Sequence, residues 1–352
     1  MKYALPSFRL TAAVLATLAL TTACDPAIEI PPIPSVAATS SVYVINEGSA
    51  NGAVSLYDKA TKTVQADRFA AANGGRKLGA ILQSMTIVSD RAYLVGNGSD
   101  EVQVVKLADF AAITTIRGLS QPRYLVPAVN ADKAYLTEWL GGFPNYTGRV
   151  SVIDLKTNTV TKQIPVGNAP DEMLEVNGRL YVTASYGNAL TVINTTTDAV
   201  ETTVEMPAGP KNILRDNKGN VWVLCSKYNA GSTPTTDYLV RFAPTAPAVA
   251  QQVRIAFPNS YTNGNLRTNA DGSKIYVSLG TGTYVLEPTA TALPASPLIR
   301  RNFYGLGIDP QDNTIYAGTG FTGSDKVIRY TMTGAPIDSF NAVVGPNGFL
   351  FR

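Results

Sequence analysis

Along most of this chain apolar and polar residues alternate with a period of two, in short runs separated by clusters of Gly, Asn, Asp and Pro. Such runs read as half-buried antiparallel strands rather than helices. The runs also recur as a phrase. One copy reads Gly178-Arg179-Leu180-Tyr181-Val182-Thr183, then Ala189-Leu190-Thr191-Val192-Ile193-Asn194, then Thr197-Asp198-Ala199-Val200, and closes on Gly209-Pro210. A second reads Lys133-Ala134-Tyr135-Leu136-Thr137, Arg149-Val150-Ser151-Val152-Ile153-Asp154, Thr157-Asn158-Thr159-Val160, then Val166-Gly167 and Pro170. Several short strands repeating about every 40 to 50 residues mark a β-propeller. The pattern predicts an all-β, seven-bladed β-propeller filling residues 41–352 as one domain.

Blade one takes Val42 to Glu47, Val54 to Asp58 and Val64 to Phe69, and lacks an innermost strand. The C-terminal Gly345-Pro346-Asn347-Gly348-Phe349-Leu350-Phe351 matches the inner-strand opening Gly209-Pro210-Lys211-Asn212-Ile213-Leu214. The tail is therefore predicted to pair into blade one, which removes an exposed sheet edge. The other blades are expected at Ser84 to Arg117, Arg123 to Pro165, Glu172 to Met206, Asn212 to Ile255, Asn265 to Ile299 and Tyr304 to Phe340, with four strands each. Turns of the Asp154 to Asn158 type suit the face opposite the site.

Residues 1–23 carry basic Lys2 and Arg9, an apolar stretch from Leu10 to Leu20, and then small residues before Cys24. The stretch is too short to span a bilayer and has the flanks of a secretory signal. Thr21-Thr22-Ala23-Cys24 resembles a bacterial lipobox, although Thr21 stands where that motif prefers Leu. The resemblance implies lipidation at Cys24 and a membrane anchor through acyl chains. Residues 24–40, rich in Pro, Ala and Ser, read as the lipidated cysteine and a flexible tether.

Composition narrows the chemistry. The 352 residues are 45% hydrophobic and 16% charged with a net charge of +3, enough to bury a large core but with no basic run to follow a phosphate backbone. Nucleic acid is not an expected partner. The chain has no histidine and two cysteines, which excludes histidine-dependent catalysis and Cys-rich zinc sites. No metal, cofactor or catalytic residue is assigned. Cys225, in a strand of blade five, is expected to be a small buried side chain, and Trp222 beside it to be packing.

In a propeller the loops leading into the inner strands, and those joining second and third strands, gather at one mouth of the axial channel. They carry the candidate ligand-binding residues. Inner-strand loops supply Arg123, Tyr124, Asp171, Glu172, Lys211, Asn212, Asn265, Tyr304 and Asn347, together with Gln83, Gln121, Asn263 and Asn302. The second set supplies Asn46, Glu47, Asn97, Trp139, Phe143, Tyr146, Tyr186, Tyr228 and Phe321, with Lys227. This collar of amides and aromatics, with few charges, suits a large, polar, weakly charged ligand. Trp139, Phe143 and Tyr146 share one Gly-rich loop and are hard to explain as core. Asp171-Glu172 reads as a cation site or general base, or else as a solvated turn.

Leu180-Tyr181-Val182-Thr183, Leu190-Thr191-Val192-Ile193-Asn194 and Val166-Gly167-Asn168-Ala169-Pro170 resemble the repeat of YVTN-type, YncE-like propellers of bacterial surface proteins. With the lipobox, the tether and the opening Val44-Ile45-Asn46-Glu47-Gly48, the chain is similar to a group of surface-exposed propeller lipoproteins. One member of that group captures cobalamin and passes it to a TonB-dependent outer-membrane transporter. The resemblance implies a monomeric, surface-exposed outer-membrane lipoprotein, not an enzyme, with a corrinoid as the small-molecule ligand and such a transporter as partner. An adhesion or scaffold protein is the alternative. A metal-dependent lactonase- or lyase-like enzyme is a third, disfavoured because such sites usually need a histidine.

Overall fold

The alternating runs form strands, and the strands assort into seven antiparallel sheets set as the blades of a propeller. The computed structural model describes residues 1, 40–129, 132–227, 236–258 and 264–352. The leader, Cys24, the tether to residue 39, Tyr228 and Asn263 lie outside the described residues. By contacts the chain divides into Met1–Pro32 and Ile33–Arg352, and the second unit holds every strand described.

Blade one is closed as expected by the C-terminal strand. Pro346–Phe351 pairs antiparallel with Ser41–Asn46, setting Val42 opposite Phe351 and Val44 opposite Phe349. Reciprocal backbone bonds between Ser41 and Arg352 extend the seam. Two expectations need correction. The outer strand of blade one stops at Val64–Gln65, and Arg68–Ala72 is a short helix instead. Asp67 caps it by accepting from the Ala70 N–H at 2.9 Å, and the alanine-rich run favours helix, so Phe69 enters the core from a helix. Blade six has three strands, Asn265–Thr268, Ile275–Leu279 and Gly282–Leu286, and an isolated bridge between Thr283 and Ile299 replaces the fourth. Pro288, Pro294 and Pro297 in the segment between remove the donors that a ladder would need.

The core is divided into seven apolar layers, each lying between two neighbouring blades. One aromatic ring recurs on the strand next to the innermost in every blade: Tyr43, Tyr93, Tyr135, Tyr181, Trp222, Tyr276 and Tyr316 are all buried. A buried hydroxyl or indole N–H must find a partner. Tyr93 donates to Asn158 Oδ1 at 3.1 Å and Tyr135 to Asp198 Oδ1 at 2.6 Å, each in the turn of the following blade. Trp222 donates to Asp216 at 2.8 Å. Those turns join third and outer strands, so they lie on the face away from the loops that lead into the inner strands. Cys225 is fully buried, and burial pushes its thiol up, out of reactive range.

The seam is also held from blade seven. Asp325 accepts from the backbone N–H groups of Phe321, Thr322 and Gly345, at 3.0, 2.8 and 2.8 Å, and from the Thr322 hydroxyl at 2.7 Å. Gly345 immediately precedes the closing strand. Burial alone would raise the Asp325 carboxyl, but these donors outweigh it and hold it below its ordinary value. A carboxyl depressed in the folded state contributes stability that is complete above its unfolded value of about 3.9 and is lost as pH falls through the folded value. The melting temperature is therefore expected to drop as pH falls below about 4. Asp325→Asn should lose roughly 1.5–3 kcal/mol at neutral pH and show a flatter acid limb. An acid limb identical to wild type in thermal melts would refute this.

Candidate functional site

The loops leading into the inner strands and those between second and third strands open on the same end of the axis. There the inner strands leave a cavity of about 890 Å³ to which all seven blades contribute. Blade one gives Glu47 and Asn347, blade two Gln83 and Asn97, and blade three Arg123, Tyr124 and Trp139. Blade four gives Asp171, Glu172 and Tyr186, blade five Lys211, Asn212 and Lys227, blade six Asn265 and Arg267, and blade seven Tyr304.

The wall carries more charge than the sequence suggested, with four basic and three acidic residues, but each acid is engaged by a partner on another blade. Arg123 Nε donates to Asp171 Oδ1 at 2.8 Å, and Ser185 Oγ bonds the other oxygen of Asp171. Arg123 also donates to Gln83, whose amide reaches the Tyr124 hydroxyl at 3.1 Å. Glu172 accepts from Asn212 Nδ2 at 3.0 Å, from the Ile213 N–H at 3.1 Å and from Arg267 Nη1 at 3.2 Å. Glu47 accepts from the Tyr304 hydroxyl. Asp171-Glu172 is therefore not a solvated turn: Asp171 is buried and ties blade four to blade three, and Glu172 ties it to blades five and six.

Titration follows from this packing. Burial pushes the Tyr124 hydroxyl up, and the nearby Glu172 adds to it; burial and the bond to Glu47 do the same for Tyr304. Burial holds the Lys211 ammonium below its ordinary range, with Asp237, Asp171 and Glu172 opposing. The wall thus offers neutral phenols, fixed amides and paired ions.

One side of the mouth is aromatic. Trp139 and Tyr146 stand 4.8 Å apart, Tyr146 and Tyr186 5.3 Å, and Phe143 and Tyr186 6.4 Å, all in tilted or edge-on contact. The Arg123 guanidinium lies 4.2 Å over the Trp139 ring, and Trp139 Nε1 donates to Pro170 O at 2.8 Å. Trp139 is therefore the hub of this loop, and Phe143, 62% exposed, is its outward ring. Opposite in the chain order, Tyr304 and Phe321 make a second edge-on pair at 5.2 Å, with Phe321 50% exposed.

Most of the predicted residues line the cavity, while Phe143, Tyr146 and Phe321 stand one ring back from it. Asn46 does not belong to it. Its side chain is fully buried and donates to Val44 O, Ala53 O and Ser55 Oγ at 3.0, 3.2 and 2.9 Å, which closes the end of a strand pair. Asn97 and Asn265 line the cavity but also donate to backbone carbonyls, of Pro122 at 3.3 Å and of Phe303 and Tyr304 at 3.2 and 3.1 Å. Asn347 similarly bonds Leu82 O and Gln83 O, both at 3.2 Å. Sequence reasoning missed Arg267 and Ser185. Arg267 follows Asn265 by two along an inner strand, so period-two alternation would have placed it on the channel side.

A family described as a domain of unknown function, DUF5074, matches residues 40–343. The chain belongs to it. No curated protein matches the sequence. Among solved structures, this DUF5074 chain is similar to a functionally unknown protein from Desulfotomaculum acetoxidans, with 11% identity over 89% of this chain and 99% of that one and a TM-score of 0.67. A Bacteroides fragilis protein provisionally named a 6-phosphogluconolactonase shares 14% identity over 91% and 99%, with a TM-score of 0.62. The hydrazine synthase of Kuenenia stuttgartiensis shares 15% over 74% and 85%, with a TM-score of 0.59. At such identities the likeness establishes the propeller fold alone.

The Arg123–Asp171 pair is mostly buried, its side chains 17% and 11% exposed. Removing one partner strands the other charge, which costs roughly 3–5 kcal/mol for a buried pair. Asp171→Ala is expected to lose stability near the low end of that range in urea unfolding. The double replacement Arg123→Met with Asp171→Leu should lose less. Equal losses would show that the pair is not the source of the cost.

Proposed function

We propose that this DUF5074 propeller is a non-enzymatic binding protein that takes a bulky, weakly charged organic ligand at its axial mouth. The observation that carries the reading is the wall itself: Asp171, Glu172 and Glu47 are held by Arg123, Arg267 and Tyr304, leaving a cavity whose carboxylates are all engaged beside an aromatic side. Carboxylates so engaged are poorly placed for proton transfer or metal binding, and preorganised amides and rings favour recognition. A corrinoid such as cobalamin, flat and fringed with amides, is the specific ligand proposed, by similarity to the propeller lipoproteins described above. Delivery to a TonB-dependent transporter, and a lipid anchor at Cys24 that holds the domain on the outer cell surface, complete the proposal.

Two experiments test it. Titration of the purified protein with cobalamin should give a saturable spectroscopic or calorimetric response at micromolar concentration, weakened about tenfold in the Phe143→Ala/Tyr186→Ala variant. No response at that concentration removes the corrinoid. Separately, Cys24→Ala should abolish incorporation of labelled palmitate and move the protein from the membrane fraction to the soluble one. Unchanged membrane association would refute the anchor.

A further inference from the structure

A second, smaller cavity of about 280 Å³ opens among the loops of blades six and seven, bordered by Arg301, Asn302, Phe303, Tyr304, Thr319 and Thr322. Tyr304 lines both cavities and forms the partition between them. Its ring needs the space left by Gly320, where a Cβ would stand 2.6 Å from Tyr304 Cγ. Arg301 is exposed, its guanidinium lies 5.7 Å over the Phe303 ring, and it forms no ion pair among the described residues. Arg300, also exposed and also without an ion pair among them, adds a second positive charge next to it. Asp325, in the loop that carries Thr322, spends its oxygens on the backbone and on Thr322. Thr319 Oγ1 accepts from the Lys326 N–H at 2.9 Å, which leaves its hydroxyl proton free to donate.

We propose that this pocket binds a small organic oxyanion with a flat apolar body. A guanidinium held against a ring presents its forked donors to a carboxylate or phosphate, the pairing for which arginine geometry is suited. The Asn302 amide and the Thr319 hydroxyl supply further donors, and Phe303 with Tyr304 supplies the apolar floor. The positive field of Arg300 and Arg301 contrasts with the axial cavity, where Arg123 and Arg267 are neutralised by Asp171 and Glu172. This site is independent of the corrinoid reading, and either can fail alone.

The test uses the intact protein with benzoate and phenyl phosphate as probes, followed by NMR at the Thr319 and Thr322 amides and the Arg301 side chain. At least one probe should give saturable shifts there. Arg301→Gln should weaken that probe about tenfold, and Arg300→Gln by less. The two probes distinguish a planar carboxylate from a tetrahedral phosphate as the preferred group. Because Arg301 is exposed, its variant should melt with wild type, which keeps the comparison clean. No saturable shift from either probe at about 10 mM, or an affinity unchanged in Arg301→Gln, overturns the proposal.

Discussion

The molecule depends on contacts between blades rather than within them. A four-stranded sheet has two faces, and here each face is buried only against the next sheet, as the seven separate apolar layers show. Contacts between inner strands run round the axis and close through Pro346–Phe351, which touches blade seven on one side and blade two on the other. The layer that joins blade seven to blade one, with Val42, Val44, Tyr57, Tyr316 and Val327, draws Phe349 and Phe351 from that strand. Ring closure is thus a packing event as much as a pairing of edges. The hydrogen bonds of the seam would be worth little without the aromatic side chains they carry into the layer.

Much of this was legible because one period was repeated. Leu180-Tyr181-Val182 and its counterparts put an aromatic at the same register in each blade, and the likeness of the tail to Gly209–Leu214 located the missing inner strand. What was misread lies where local chemistry overrides the repeat. Val64 to Phe69 looked like an outer strand because Phe69 is apolar, yet a capping Asp67 and an alanine run turn it into a helix. Blade six lacks the outer strand that the period predicts because Pro288, Pro294 and Pro297 remove ladder donors, a local effect that the repeat does not encode.

The site was legible in its membership and not in its state. Loop position predicted which residues reach the axis. Period alone could not show that Asp171 faces Arg123 across a blade boundary, which depends on the angle between neighbouring sheets, or that Asn46 turns inward to Ser55 on the adjacent strand of its own sheet. The result is a mouth whose carboxylates are internal fastenings. The same contacts hold the wall rigid and engage its carboxylates, so a ligand would meet amides, phenols, ring edges and the ammonium groups of Lys211 and Lys227.

The pairing of Val42 with Phe351 also sets the order in which the protein can be made. Ser41–Asn46 leaves the ribosome long before its partner Pro346–Phe351, so blade one cannot be completed until that strand has been made. Until then its outer neighbours can form, but the inward edge of Ser41–Asn46 stays open. A chaperone that shields that edge during synthesis would protect a vulnerability that the finished ring conceals.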